Sequence, residues 1–291
     1  MSVRVGIAQC HAEPGAAAAN LDAALACIAV LADRGCQVVV LPELWPCGYD
    51  PGRLAADAVG CAEPLDGPRG RALAAAARSA GVWLFAGSVP EQAGGRLHNT
   101  APVYGPDGEL RATHRKMHLY TALGEDRVFD PGHEVTVVEA GPLGLVGLSI
   151  CFDGDHSGYS RALRDRGARV VVSVSAYEVA AARWWDLLHP AQALAHGQWW
   201  LMANQCGGTG RNALLGGSRV LHPDGSVVAE APRLPLDGTP GEPALLSADI
   251  DVAAALAEWD ETSSLLWTGA RHDDYARPGA RPGARAQPGH T

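Results

Sequence analysis

Short apolar runs alternate with segments of helical period along most of this chain, a pattern that predicts mixed sheets with helices packed outside them. Residues 3–9 read as a strand. Residues 20–33 carry apolar side chains at helical spacing, with Asn20 placed to cap the start and Gly35 to stop the end. A buried strand follows at 38–41, an alanine-rich helix at 69–80 and a strand at 82–89. Gly105-Pro106-Asp107-Gly108 turns a hairpin between 100–104 and 109–114. The apolar run 145–150 delivers Cys151 ahead of a helix predicted at 159–166. Beyond it come a strand at 169–175, a helix at about 184–196, a strand at 200–203, and a hairpin of 218–221 with 226–230 about His222-Pro223-Asp224-Gly225.

Composition narrows the picture. The chain has 291 residues, 47% of them hydrophobic, enough to fill a large core. No apolar run approaches the roughly 18 to 20 residues of a membrane span. The first strand begins by Val3, so no signal peptide is expected. The seven cysteines are odd in number and scattered, without CxxC pairs, so a reducing cytoplasm is expected rather than a disulfide framework or a zinc site. A formal charge of −9 disfavours nucleic acid as a partner. The eleven histidines include no zincin-like pair beside a carboxylate, and neither a metal nor a cofactor is expected. The segment 207–211 is glycine-rich but lacks the Gly-Lys-Ser/Thr ending of a phosphate loop, and reads as a mobile loop near the pocket.

Three strand ends carry chemistry. Cys151, at a strand-to-helix turn, stands where the unpaired N–H groups of a first helical turn favour thiolate over thiol. Alone, it reads better as a small buried core cysteine. The strand 38–41 breaks off into Pro42-Glu43, a carboxylate that is either a solvated loop charge or a base held at the sheet edge. Lys116, in Arg115-Lys116-Met117-His118-Leu119, is alone no more than a basic turn. Together they supply an acid/base, a cation and a thiol, the set that acyl transfer through a thioester requires.

Glu43 in LPEL, Lys116 in RKMHL and Cys151 in ICFD, in that order, resemble the Glu-Lys-Cys triad of the nitrilase superfamily, the carbon–nitrogen hydrolases. Matching segments extend over roughly residues 3 to 275, including Asn99-Thr100-Ala101, the stretch 124–132, Ser175-Ala176-Tyr177 and Ala203-Asn204-Gln205. The resemblance implies an α/β fold, a four-layer αββα sandwich, over residues 1–275. It implies Glu43 as acid/base, Lys116 and the Phe152 N–H as oxyanion donors, and Cys151 as nucleophile. Glu125 matches the family's second glutamate, although Asp126 adjoins it. Phe152, Asp155 and Tyr177 are the candidate substrate-binding residues. A homodimer or larger even-numbered oligomer is implied too. Residues 276–291, with a repeated Arg-Pro-Gly-Ala, read as a flexible tail.

The chain also departs from the family pattern. The usual Phe-Pro-Glu after the nucleophile is absent, and His156-Ser157-Gly158 stands there instead. Nitrilases proper carry Cys-Trp-Glu where this chain has Cys151-Phe152-Asp153, so a small-amide hydrolase is the leading reading. An N-carbamoyl amine hydrolase and a nitrilase are the alternatives, and a non-catalytic interaction module on the same fold is the alternative of a different class. Asp155 either caps the following helix or repels an anionic substrate tail and pairs with an ammonium. The two stand about equal. The Trp184-Trp185 and Trp199-Trp200 pairs are expected in the core or at a subunit contact, with one ring walling the pocket as the lesser alternative.

Overall fold

The computed structural model describes residues 2–208, 213–233 and 242–266. The first half of the chain supplies β1 (Val3–Gln9), β2 (Val38–Val40), β3 (Trp83–Phe85), β4 (Val89–Ala93), β5 (Arg96–Tyr104) and β6 (Leu110–Arg115). The second supplies β7 (Val137–Glu139), β8 (Leu145–Ile150), β9 (Val170–Ser175), β10 (Trp199–Asn204), the short pair β11 (Cys206–Gly207) and β12 (Leu214–Leu215), then β13 (Arg219–Leu221), β14 (Val227–Glu230) and β15 (Ala244–Ile250). The helices are α1 (Ala17–Asp33), α2 (Leu54–Cys61), α3 (Pro68–Ala80), α4 (Ser157–Asp165), α5 (Ala182–His196) and α6 (Val252–Leu266).

Two mixed sheets result. One runs β15-β1-β2-β3-β5-β4, with β6 added on β5, and the other runs β14-β13-β10-β9-β8-β7. In each, three parallel strands form the centre and antiparallel pairs form the margins. The central strands are apolar on both faces because both faces are covered. Alternate residues still point opposite ways. Val38 and Val40 of β2, Val146, Leu148 and Ile150 of β8, and Val170, Val172 and Val174 of β9 fill the layer between the sheets. Val39 of β2 turns outward against α1 and α3. Val171, Trp200 and Met202 turn outward against α4 and α5. These layers make the expected four-layer αββα sandwich, and it brings the carboxyl ends of β2 and β8 to one side.

Several elements differ from the sequence reading. α1 starts at Ala17, one turn before Asn20, and no side chain caps it. Asn20 is buried and serves the loops instead: it accepts from the Glu13 N–H at 3.0 Å and donates to the carbonyls of Glu13 at 2.8 Å and Pro46 at 3.1 Å. The strand expected at 82–89 is two strands, broken at Gly87, where φ is +67° and an added Cβ would lie 2.0 Å from the Pro42 carbonyl. That break admits the Pro42-Glu43 loop, since the Ser88 N–H donates to Pro42 O and the Leu44 N–H to Ser88 Oγ. α2, β4, β15 and α6 carry too little pattern to be read in advance. The helix expected at 159–166 begins at Ser157, after a 3-10 turn over Cys151–Asp155. The loop at 209–211 and the tail at 276–291 lie outside the described residues. Among the described residues no helix is long and apolar enough to cross a membrane.

Candidate active site

The Lys116 ammonium, fully buried, lies between two buried carboxylates, 2.8 Å from Glu43 Oε1 and 2.8 Å from Glu125 Oε1. Each of the three arrives from a different element. Glu43 follows β2, Lys116 follows β6 and Glu125 opens a 3-10 turn. The surroundings fix each one. Asn99 of β5 donates to Glu43 Oε1 at 2.9 Å, and the Gln205 amide donates to the Glu43 carbonyl at 2.6 Å. The Lys116 N–H donates to Asn99 O, and the preceding Arg115 makes two 2.8 Å bonds to Glu91. Glu125 accepts from the Tyr49 hydroxyl at 2.7 Å and the Tyr120 N–H at 2.8 Å. Asp126 is exposed, which removes the ambiguity with its neighbour. One oxygen stands apart: Glu43 Oε2 is buried and has no hydrogen-bond partner among the described residues.

Cys151 lies in a pocket of about 380 Å3, its open mouth included. Tyr49 lines the same pocket and joins it through Glu125 to the buried ammonium. Phe152, Asp155 and Tyr177 line it too, so all seven candidate residues gather at one place. Cys151 has φ +48° and Leu44, directly after Glu43, has φ +44°. Among the described residues these are the only non-glycine positions in the left-handed region, and strain of that kind, about 1–3 kcal/mol each, collects at functional sites.

The cysteine and lysine segments are tied together by Asp153. Its Oδ1 accepts from the Met117 N–H at 3.2 Å and the His118 N–H at 2.8 Å, and lies 2.8 Å from His118 Nδ1. Oδ2 accepts from the Ile150 N–H at 3.2 Å and lies 3.0 Å from His114 Nε2. Burial raises the Asp153 pKa, but hydrogen bonds from His114 and His118 outweigh it and hold the carboxyl well below its usual range. The role of His114 and His118, four residues apart beside the lysine, is thus to grip this carboxylate.

The charges do not behave as the strand-to-helix turn suggested. Burial and then the Glu43 carboxylate push the Cys151 thiol well above its ordinary value, and Lys116 only partly offsets them. The resting group is the thiol, which corrects the expected thiolate. The turn after Cys151 spans five residues and its N–H field is small against a nearby buried carboxylate. Burial likewise raises Glu43, with Lys116 pulling the other way. For Lys116, burial lowers the pKa, but Glu125, Glu43 and Cys151 more than compensate and keep it well above the usual lysine value.

Asp155 does not cap α4. His156 holds the N-cap position and no side-chain cap bond forms there. The Asp155 carboxylate instead accepts from the Tyr177 hydroxyl and lies 3.3 Å from His189 Nε2. Trp184 lines the pocket, whereas Trp185 and Trp200 are fully buried in the core. Of the residues to which the sequence reading gave no site role, Asn99 and Tyr49 support the ion group, and Tyr120 and Glu178 line the pocket. Asn99-Thr100-Ala101 is among the segments that carry the family resemblance, and that was the signal available for Asn99.

A buried cation between two carboxylates beside a pocket cysteine, on an αββα sandwich, defines a class of hydrolase. The carbon–nitrogen hydrolase profile matches residues 4–259, and the chain belongs to that family. Its activity is hydrolysis of carbon–nitrogen bonds. Among individual proteins, it is similar to the omega-amidase NIT2 of Danio rerio, 30% identical over 258 residues that cover 86% of this chain and 88% of the relative. The fold is also that of Saccharomyces cerevisiae Nit3, a member of branch 10 of the nitrilase superfamily, at TM-score 0.77 and 22% identity over 94% of this chain and 96% of the other. A mutant of the amidase from Nesterenkonia sp. AN1, showing covalent addition of the acetamide moiety of fluoroacetamide at the active site cysteine, superposes at TM-score 0.72 with 26% identity, covering 91% of this chain and 96% of that one.

Proposed function

We propose that the chain hydrolyses a small primary amide through a thioester on Cys151, with Glu43 as acid/base, Lys116 and the Phe152 N–H as oxyanion donors and Glu125 as the residue that positions Lys116. The observation that carries this reading is the buried, unengaged Oε2 of Glu43. Oε1 is taken up by Lys116 and Asn99, so Oε2 is the atom left to receive a proton. In the first step Oε2 takes the Cys151 proton as Sγ attacks the amide carbon, and the carbonyl electron pair moves onto the oxygen. The Lys116 ammonium stabilises that charge, a contribution of roughly 3 to 4 kcal/mol for a preorganised donor. Collapse breaks the C–N bond, and the leaving nitrogen takes the proton from Glu43. Water then gives a proton to Glu43 while its oxygen attacks the thioester. The departing sulfur recovers that proton, leaving a carboxylic acid and a neutral thiol. The raised thiol pKa suits this scheme, since proton loss is coupled to attack instead of preceding it. The amide specificity is supported by the amidases among the relatives.

Glu43→Gln tests the base directly. Turnover should fall by at least about a hundredfold, and the panel to measure it on is primary amides, N-carbamoyl amines and nitriles, scored by ammonia release. The wild-type kcat/KM should fall on acidification with an apparent pKa above the ordinary glutamate value, because burial raises Glu43 and only its ionised form accepts the proton. Asn99→Leu removes a hydrogen bond that favours the carboxylate, so that acid limb should move to still higher pH. An acid limb that moved down, or Glu43→Gln retaining more than about a tenth of wild-type turnover, would contradict the role.

The same reading extends to residues 1–275 as one hydrolase domain, working as a cytoplasmic homodimer or larger even-numbered oligomer. The family match over 4–259 and the pairing of β15 with β1 support the single domain. All seven cysteines are free, which suits a reducing compartment. Trp184, Leu187 and Leu194 leave an apolar face of α5 exposed, as a subunit contact requires. Light scattering at micromolar concentration should give an even multiple of the chain mass, and a monomer there would contradict the oligomer.

A further inference from the structure

We propose that His156 is a positioning residue that holds Phe152, and with it the oxyanion-facing N–H, only while its imidazole is neutral, an inference that rests on the amide-hydrolase reading of the same pocket. His156 closes the turn that Cys151 opens: its N–H donates to the Asp153 carbonyl at 3.2 Å, and it takes the N-cap position of α4. From there its ring makes a T-shaped contact with the Phe152 ring, centroids 4.8 Å apart and planes at 71°. Phe152 in turn packs against Tyr120 on the pocket wall, centroids 5.0 Å apart. His156 also stacks on His118, centroids 4.1 Å apart and planes at 27°. His118 is itself fixed, since its N–H and its Nδ1 both lie 2.8 Å from Asp153 Oδ1. The column Tyr120-Phe152-His156-His118 thus begins and ends on the lysine segment and takes up both rings of the nucleophile turn. It joins the two segments at a second place, alongside Asp153.

Such a column accepts a neutral imidazole better than a charged one. Among the described residues, the titratable groups around His156 are Asp153 and Asp155 from its own turn, His118 from the lysine segment, Tyr159 of α4 against His118, and His189 of α5 across Asp155. Burial and then His118 hold the His156 pKa below the ordinary histidine value, and they outweigh the pull of Asp155 and Asp153. The geometry agrees: Nε2 is buried and has no hydrogen-bond partner among the described residues, so a proton there would meet no acceptor among them. By linkage, a proton that the packed ring resists is taken up more readily by a displaced one. Acidification therefore draws the imidazole out of the column, and Phe152 loses a ring against which it packs.

Butanamide serves as the probe, with ammonia release giving kcat/KM between about pH 4.5 and about pH 8. Protons on Glu43 and on His156 both act on the acid side of the wild-type profile, so log kcat/KM should fall with a limiting slope approaching about two. His156→Phe keeps an aromatic ring that cannot be protonated, and its slope should be about one, with Glu43 alone responsible. His156→Ala removes the ring. At about pH 8 its kcat should be down by about tenfold, a fraction of the hundredfold or more that loss of an oxyanion donor costs, and His156→Phe should recover most of that loss. Equal slopes in wild type and His156→Phe, or full kcat in His156→Ala, would overturn the proposal while butanamide turnover still upheld the amide reading. If His156→Ala is unfolded by circular dichroism, the slopes of wild type and His156→Phe decide. Absence of ammonia from butanamide, with no acyl adduct on Cys151, would overturn both.

Discussion

Cys151→Ala is expected to remove turnover by on the order of 10⁴-fold or more, the scale seen when the nucleophile of a cooperating catalytic group is deleted. The fold should survive, because alanine fits the space and the neighbouring Asp153 keeps its bonds to the lysine segment. Mass spectrometry of wild-type protein quenched with acid during turnover should place an acyl group on the peptide containing Cys151, and the variant should carry none. The six other cysteines serve as internal controls. Turnover within about tenfold of wild type would remove Cys151 from the chemistry.

The largest effect on stability is expected at Asp153. This carboxylate is fully buried, with three backbone N–H donors and two imidazoles around it, so Asp153→Asn turns an amide N–H₂ toward donors on one side or the other. Breaking a buried charged cluster from one side costs about 3 to 5 kcal/mol. Chemical denaturation at neutral pH should show a loss of that size, together with reduced turnover as the lysine and cysteine segments drift apart. The pH dependence has a definite sign. Asp153 has a folded pKa below its unfolded value, so its contribution is present in full above the unfolded pKa of about 3.9 and is lost as pH falls toward the folded value. The stability gap between wild type and Asp153→Asn should accordingly narrow below about pH 4. A loss under about 1 kcal/mol at neutral pH would show that the tie is dispensable.

Glu43, Lys116 and Cys151 were legible because each directly follows a strand-like run, apolar before Glu43 and Cys151 and mostly polar before Lys116. Their support was not. Tyr49 and Glu125 are 76 residues apart and Asn99 and Glu43 are 56 apart, so neither pair exists until the sheets assemble. Asp153 looked like part of a local motif, and its function is to reach back to His114 and His118. The Cys151 thiol was misjudged for a related reason: its ionisation depends on the sum of burial, Glu43 and Lys116, and local sequence reports only the turn. Trp184 and Trp185 are adjacent, yet about 100° apart around the helix axis, which sends one into the pocket and the other into the core. Mixed sheets with helices outside followed from alternation, and the four-layer αββα arrangement came from the family resemblance. β15 and α6 could not be read from alternation, since neither has a sharp boundary or a clean apolar stripe.

The antiparallel pairing of β15 with β1, from Val3 opposite Ile250 to Gln9 opposite Ala244, bears on how the chain reaches its folded form. β1 leaves the ribosome about 240 residues ahead of β15, as the register from Val3 opposite Ile250 shows, and β2 can cover one of its edges early. The other edge stays open until nearly the whole catalytic sequence has been synthesised. Closing a loop that long is slow, and an unpaired strand edge invites association with other chains in the interval. Completion of the first sheet is therefore a late event in biogenesis, and yield during expression should depend on chaperone supply and translation speed more than on the stability of the finished enzyme.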